Sequence, residues 1–234
     1  MRKLNYGDTS VIVHFYTEEF GKVTAIVKGV RSRKSKMGSI IDVMNMVEIV
    51  FYQKENREVQ LVSQADLIAH YPKIKQDLNR LKFSSAVLEL VASLIIENEK
   101  NSLMFKGILR IQELFEKNEE HPKVLFIKFF LFFIREIGYE LHFESKNLDM
   151  SDVDAGEPIV FHYELGFMNK AGGEDKLITF EFSSELFKLL LCLSKGKGEY
   201  TYTQSDLDKL IVFLEKYIRY HISEFKGLKS LHMF

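Results

Sequence analysis

Residues 6–36 read YGDTSVIVHFYTEEFGKVTAIVKGVRSRKSK, and the order of features in this stretch decides how the first part of the chain folds. A turn-like YGDTS leads into the alternating run Val11-Ile12-Val13-His14-Phe15-Tyr16. The acidic turn Glu18-Glu19-Phe20-Gly21 then feeds a second alternating run over residues 22–28. Two β-branched runs joined by a glycine-containing turn predict a β-hairpin. Gly29 then releases the chain into a loop that holds Arg31, Arg33, Lys34 and Lys36, with Lys28 just before it, and no acid. A purely basic loop at the exit of a small sheet is how proteins that follow a nucleic-acid backbone present charge.

Outward from this hairpin, Val47, Ile49 and Phe51 make a third apolar strand face, and Val59, Leu61 and Ser63 a weaker fourth. Val11, Val13 and Phe15, like Val23, Ala25 and Val27, share one side of a pleat. The turn Lys54-Glu55-Asn56-Arg57 separates the last two strands. Four or five short strands in so few residues predict a small barrel rather than a sandwich. Pro72 marks the change of period. Beyond it, apolar residues recur at spacings of three and four: Ile74, Leu78 and Leu81, then Val87, Leu88, Val91, Leu94 and Ile95, then Ile108, Leu109, Ile111 and Leu114. After Pro122, Phe126, Phe129, Phe130, Phe132 and Phe133 occupy every side of one helix, which predicts a buried central helix. The helix signal stops over residues 143–182, where residues 159–163 and 177–182 read as short strands around the turn NKAGGED, residues 169–175. Helices resume after Ser183-Ser184-Glu185 and again at Thr203-x-x-Asp206, which has the form of a capping box.

The chain's 234 residues suffice for one large domain or two small ones with ample core. Net charge is −1; residues 1–72 carry ten Lys/Arg against eight Asp/Glu, and only residues 28–36 concentrate one sign. Nucleic-acid binding is therefore expected to be local and salt-sensitive. One cysteine, Cys192, excludes an internal disulfide and a cysteine-cluster metal site, and its apolar neighbours point to a buried structural thiol. The polar start MRKLNYGD is unlike a signal peptide. The apolar run 124–134 is interrupted by Lys128 and is too short to span a bilayer. A reducing cytoplasm fits these features.

The collinear set Tyr6-Gly7-Asp8-x-Ser10, the β run ending in Tyr16-Thr17, Gly21-Lys22 at the turn and Lys28-Gly29-x-Arg31 before a basic loop resembles the RecO family of bacterial recombination mediators. Phe129 to Gly138-Tyr139 resembles that family's central helix and the Gly-Tyr after it. Leu228-Lys229-Ser230-Leu231, after a helix carrying Tyr220-His221, resembles its ending. The resemblance implies an α+β protein: an N-terminal OB-fold β-barrel over residues 1–71, then a mainly α-helical domain over 72–234 with a β insertion at about 143–182. Members of the family usually have more chain before the YGxxS segment. Here five residues precede Tyr6, so the barrel is expected to be short of an edge strand or the chain to start upstream. Many members also carry four zinc-binding cysteines in the insertion. This sequence has Glu144, Ser145, His162, Gly172 and Gly173 in that region, and one histidine is no tetrahedral site. The insertion is thus expected to fold without metal, held by Phe161, Tyr163, Phe167, Phe180 and Phe182.

The function that the resemblance implies is DNA repair by homologous recombination, without enzymatic activity or cofactor, in the cytoplasm at the nucleoid. Such a protein binds single-stranded DNA, anneals complementary strands, and with RecR helps load RecA onto strands coated by single-strand-binding protein. The candidate nucleic-acid-binding residues are Lys28, Arg31, Arg33, Lys34 and Lys36; a solvated loop is the competing reading of the same five. Tyr16, Tyr52 and Phe20 lie near strand ends, where aromatic rings stack on bases. The acidic, hydrophobic-ended tail of single-strand-binding protein needs an apolar groove with nearby cations. The candidates are Lys123 and Lys128 beside the Phe-rich helix, or Lys216 and Arg219 on the last long helix; each pair also reads as a solvated helix face. Enzyme signals are absent: the glycine-rich residues 195–199 lack a Gly-Lys-Ser/Thr ending, and the seven histidines show no ligand spacing. The alternative is an OB-fold adaptor that docks polypeptide and does not bind DNA.

Overall fold

The computed structural model describes residues 2–54, 56–97, 99–117, 119–144, 148–169 and 178–232. Expectations that concern Met1, Glu55, Ser145, Gly172, Gly173, Leu177 and the rest of residues 170–175 lie outside the described residues. The chain divides into two units, residues 1–122 with 229–234, and residues 123–228. No described helix is long and apolar enough to cross a membrane.

The first unit begins with a five-stranded sheet: β1 (Arg2–Tyr6), β2 (Ser10–Thr17), β3 (Gly21–Val27), β4 (Met46–Tyr52) and β5 (Gln60–Ala69). The order across the sheet is β1-β2-β3-β5-β4, with β3 and β5 parallel and all other neighbours antiparallel. The alternation of 11–16 and 22–27 is a true pleat. Val11, Val13, Ala25 and Val27 turn inward with Val62 and Ala65, while Phe15, Ile49 and Phe51 pack against their margin. Burying a valine in this way stabilises by about 1.5–3 kcal/mol over leaving it in water. Residues 2–6, which lead into the turn, form β1 and are paired along their full length with β2.

The expected barrel needs correction on one point: the sheet is not closed. Among the described residues β1 and β4 are its edges and do not pair. The strand order nonetheless suits an OB-type sheet, a fold whose barrel is itself partly open. Two register shifts in β4, between Met46 and Val47 and between Val50 and Phe51, bend that edge strand.

A short α1 (Met37–Ile40) lies between β3 and β4; α2 (Pro72–Gln76), α3 (Leu78–Leu94) and α4 (Ser102–Lys117) follow β5. Pro72 sits in the first turn of α2, where its missing N–H has no helical partner to lose. The cation Lys22 at the start of β3 donates to Ala92 O and Ile95 O at the C-terminal end of α3, where orphan carbonyls and the helix dipole favour positive charge. Gly21 is needed here twice over. Its φ is +63°, and a Cβ would lie 2.0 Å from Glu99 O. A 3-10 turn, Lys229–His232, closes this unit: the Glu89 carboxylate on α3 accepts from Lys229 N at 3.0 Å and Ser230 N at 2.8 Å.

The second unit is built on α5 (Pro122–Glu136), whose Phe126, Ile127, Phe130 and Phe133 are wholly buried. It is followed by α6 (Met150–Ala155), the three-stranded sheet β7-β6-β8 (Gly166–Asn169, Ile159–His162, Thr179–Phe182), α7 (Ser184–Lys195) and α8 (Gln204–His221). Ser183 caps α7, and the Thr203–Asp206 capping box opens α8 as the spacing predicts. The expectation that helix stops over 143–182 fails at α6. That helix is six residues long, too short to show a period, and the Asp149 carboxylate starts it by accepting from Ser151 N and Oγ.

Candidate nucleic-acid interface

The basic loop is held to the sheet rather than hanging from it. Gly29, at φ +70°, turns the chain out of β3, and Val30 plugs back into the core at 4% exposure. Arg31 N then donates to Thr9 O at 2.9 Å, and Arg31 Nη1 to Gly7 O at 3.0 Å, in the turn between β1 and β2. Ser32 N and Ser35 N continue the turn by donating to Gly29 O and Ser32 O. The five cations Lys28, Arg31, Arg33, Lys34 and Lys36 are all exposed on this ordered scaffold. Among the described residues none of them pairs with a carboxylate. Holding the charges in place lowers the ordering entropy that binding would otherwise have to overcome.

The register shows what lies beside the loop. Leu4 pairs with Ile12, Ile12 with Ile26, Ile26 with Leu61, and Leu61 with Tyr52. These five form an apolar row across the outer face of the sheet, opposite to the Val11–Val27 side. Its two ends are the most open, with Leu4 40% and Tyr52 63% exposed. Tyr6, 55% exposed, ends β1 next to Gly7, the residue that holds the Arg31 guanidinium. Of the three aromatics named from sequence, Tyr52 alone is well placed for a base. Tyr16 stacks on Phe105 with its hydroxyl buried, and Phe20 meets Phe51 edge-on at 5.4 Å. Tyr6, on the edge strand β1, is a second exposed ring that the sequence pattern does not single out, since its one signal is its position before the turn. Nor does the sequence announce how the turn between β4 and β5 is held, where Gln60 brackets Lys54 and Arg57: its Oε1 accepts from Lys54 N and its Nε2 donates to both carbonyls. Both cations are exposed.

Two family models cover nearly the whole chain: recombination protein O, N terminal, over residues 1–71, and recombination protein O, C terminal, over residues 75–232. The chain belongs to the RecO family. It is 30% identical to a DNA repair protein RecO of Chloroherpeton thalassium, in an alignment of 252 positions that spans all of this chain and 95% of that protein. A second relative of that description, from Pelodictyon phaeoclathratiforme, is 23% identical over 99% of this chain and 93% of its own length. A third, from Chlorobium limicola, is 30% identical over 74% of this chain and 66% of its own.

The zinc site of many RecO proteins does not fit the residues present here. Cys192 lies on α7, His162 Nδ1 already accepts from the amides of Glu164 and Leu165, and no group of three or more ligand residues is placed for a metal among those described. Aromatic rings occupy the insertion instead. Phe161 meets Phe167 at 4.6 Å, Phe213 at 5.1 Å and Tyr217 at 5.6 Å; Phe167 meets Phe187 at 4.9 Å. Such edge-to-face pairs stabilise by about 0.5–1.5 kcal/mol each beyond burial. Prolonged chelation is therefore expected to leave the melting temperature unchanged, and elemental analysis to find no stoichiometric metal; a fall in melting temperature with chelator would contradict this.

The four cations suggested for a partner's tail in this RecO chain are in different situations. Lys123 is held by Asp208 of α8 at 2.6 Å, and the Lys128 ammonium lies 5.8 Å from the Tyr200 ring. Lys216 is exposed, with its ammonium 5.8 Å from the Phe180 ring. Arg219 is one turn further along the same exposed face of α8, beside Gly227. The structure thus brings Lys216 and Arg219 together on one surface and commits Lys123 elsewhere.

Proposed function

We propose that the chain is a recombination mediator that binds single-stranded DNA through the basic loop and the outer face of its sheet. The observation that carries this reading is the loop itself: five exposed cations, ordered by Val30 and Arg31, without a carboxylate partner among the described residues. Uncompensated charge of this kind favours phosphates, which read no sequence. The apolar row and Tyr52 lie across the face that OB-type sheets use for oligonucleotides, and each base stacked on an exposed ring contributes about 1–3 kcal/mol. The protein then aligns complementary strands and, with RecR, exchanges single-strand-binding protein for RecA. Charge neutralisation and partner exchange need no covalent step. The test is binding and annealing of oligonucleotides by the full chain over a range of salt: a steep log–log fall in affinity supports the reading. Salt-independent or absent binding would favour the peptide adaptor.

For the tail of single-strand-binding protein, the same proposal assigns Lys216 and Arg219. Replacing both with alanine is expected to weaken a labelled acidic tail peptide about five- to tenfold, the scale of two partly solvated ion pairs. Titration by fluorescence anisotropy checks it, and equal affinity for the variant would move the tail site away from α8.

A further inference from the structure

The first unit holds a second feature, distinct in chemistry from the basic loop. A cavity of about 600 Å³ lies between the end of β2, the turn after it, β4, α3 and α4. Its walls are mainly apolar, with Phe15, Phe51, Phe105 and Leu109 among them, and the volume is in the usual range for sites that enclose a ligand group. The charged residues of the lining are all acidic: Glu18 and Glu19 on the turn, and Glu48 on β4, whose side chain lies on the other face of the sheet with Val50 and Tyr52. None of the three has an ion-pair partner among the described residues.

Two polar atoms of the lining residues, Tyr16 Oη and Gln112 Nε2, are closed off from solvent and have no hydrogen-bond partner among the described residues. Gln112 is 3% exposed, and its Oε1 accepts from Ser84 Oγ at 2.5 Å, which orients the amide and leaves the Nε2 donor unused.

We propose that this cavity is a docking site for a segment of another protein that inserts one large apolar side chain flanked by lysine or arginine. The apolar side chain fills the space between Phe15, Phe51 and Leu109, and the flanking cations meet Glu18 and Glu19 on the turn at its mouth. Charge decides the occupant. The two adjacent carboxylates at the mouth oppose a phosphodiester strand and equally an acidic tail, and favour a chain that carries cations beside its apolar side chain. The site is thus separate from both surfaces assigned above, and its failure would leave the DNA reading untouched.

The experiment uses the full chain and two labelled peptides of equal length with a central phenylalanine, one flanked by lysines and one by glutamates, followed by anisotropy. The lysine-flanked peptide is expected to bind at least about tenfold more tightly. Glu18→Lys with Glu19→Lys, both on a surface turn, should weaken it about tenfold without loss of oligonucleotide binding. Leu109→Trp, which fills the cavity, should abolish it; the turn variant keeps the test open if the filled one misfolds. Equal affinity for the two peptides, no binding at millimolar peptide, or binding indifferent to the turn variant would overturn the proposal. Displacement by oligonucleotide, or full displacement by equimolar spermidine, would overturn the occupant as a polypeptide.

Discussion

Reversing Arg31, Arg33 and Lys34 to glutamate together is expected to lower affinity for single-stranded DNA by roughly a hundredfold near 0.1 M salt. Counterion release makes log affinity fall with log salt by about 0.7 for each single-strand phosphate that a cation neutralises. Removing one such cation at 0.1 M therefore weakens binding about fivefold, and three removals compound. The slope itself should flatten by about 2, and this is the more diagnostic reading, because simple unfolding would remove binding without leaving a shallower line. Arg31 also braces the β1–β2 turn through Gly7 O, so its reversal alters the scaffold as well as the charge. The Arg33→Glu, Lys34→Glu pair avoids that difficulty, since neither side chain holds the loop in place. Its expected effect is about a twenty-five-fold weakening, with the slope lower by about 1.4. Anisotropy titrations over a salt series, with a melting curve for each variant, decide the matter; an unchanged slope removes the loop from the binding site.

Phe213→Ala is expected to destabilise the second unit by about 3–5 kcal/mol, the scale of deleting a wholly buried phenylalanine. Phe213 on α8 is 0% exposed, and its ring centre lies 5.1 Å from Phe161, 5.2 Å from Phe180 and 4.9 Å from Phe182. It therefore joins two strands of the small sheet to the last long helix. Denaturant unfolding of the full chain should show the transition of residues 123–228 moved, while oligonucleotide binding by the first unit remains. Phe213→Leu keeps most of the volume and is expected to lose under about 2 kcal/mol. A loss below about 1 kcal/mol for Phe213→Ala would mean that the neighbouring rings collapse into the space and that the cluster is not what holds the insertion.

Much of this was legible in the residues, and the rest failed for physical reasons. Alternation over 11–16 and 22–27 gave away β2 and β3 because one face is buried and the other is not. The all-round apolar pattern of 126–133 marked α5 for the converse reason. Closure of the sheet was not legible: it depends on whether β1 and β4 meet, and side-chain alternation says nothing about which edges pair. Strand β7 escaped notice because its sequence GFMN opens on a glycine and holds no β-branched residue, and helix α6 because six residues are too few to establish a helical period. The charge of the basic loop could be read directly, but not its attachment to Gly7 and Thr9, which lies in backbone carbonyls that every sequence has. Likewise the ion pair between Lys123 and Asp208 joins residues far apart in the chain, and no local pattern announces it.

The Glu89 carboxylate, which accepts from Lys229 N and Ser230 N, ties residues from the end of the described chain to a helix near its middle. The first unit is therefore discontinuous: one stretch ends at Pro122 and the other begins at Lys229, with the whole second unit in between. Translation runs in one direction, so the ribosome finishes all of residues 123–228 before the first unit can receive its last piece. During that interval Glu89 is solvated and the α3 surface under Ser230 is open. Units normally fold as they emerge, which makes this one slow to complete. Nascent chains arrested just before Lys229 should be cut by protease within α3 more readily than released chains. Equal protection in the two would show that the closing turn adds nothing to the first unit.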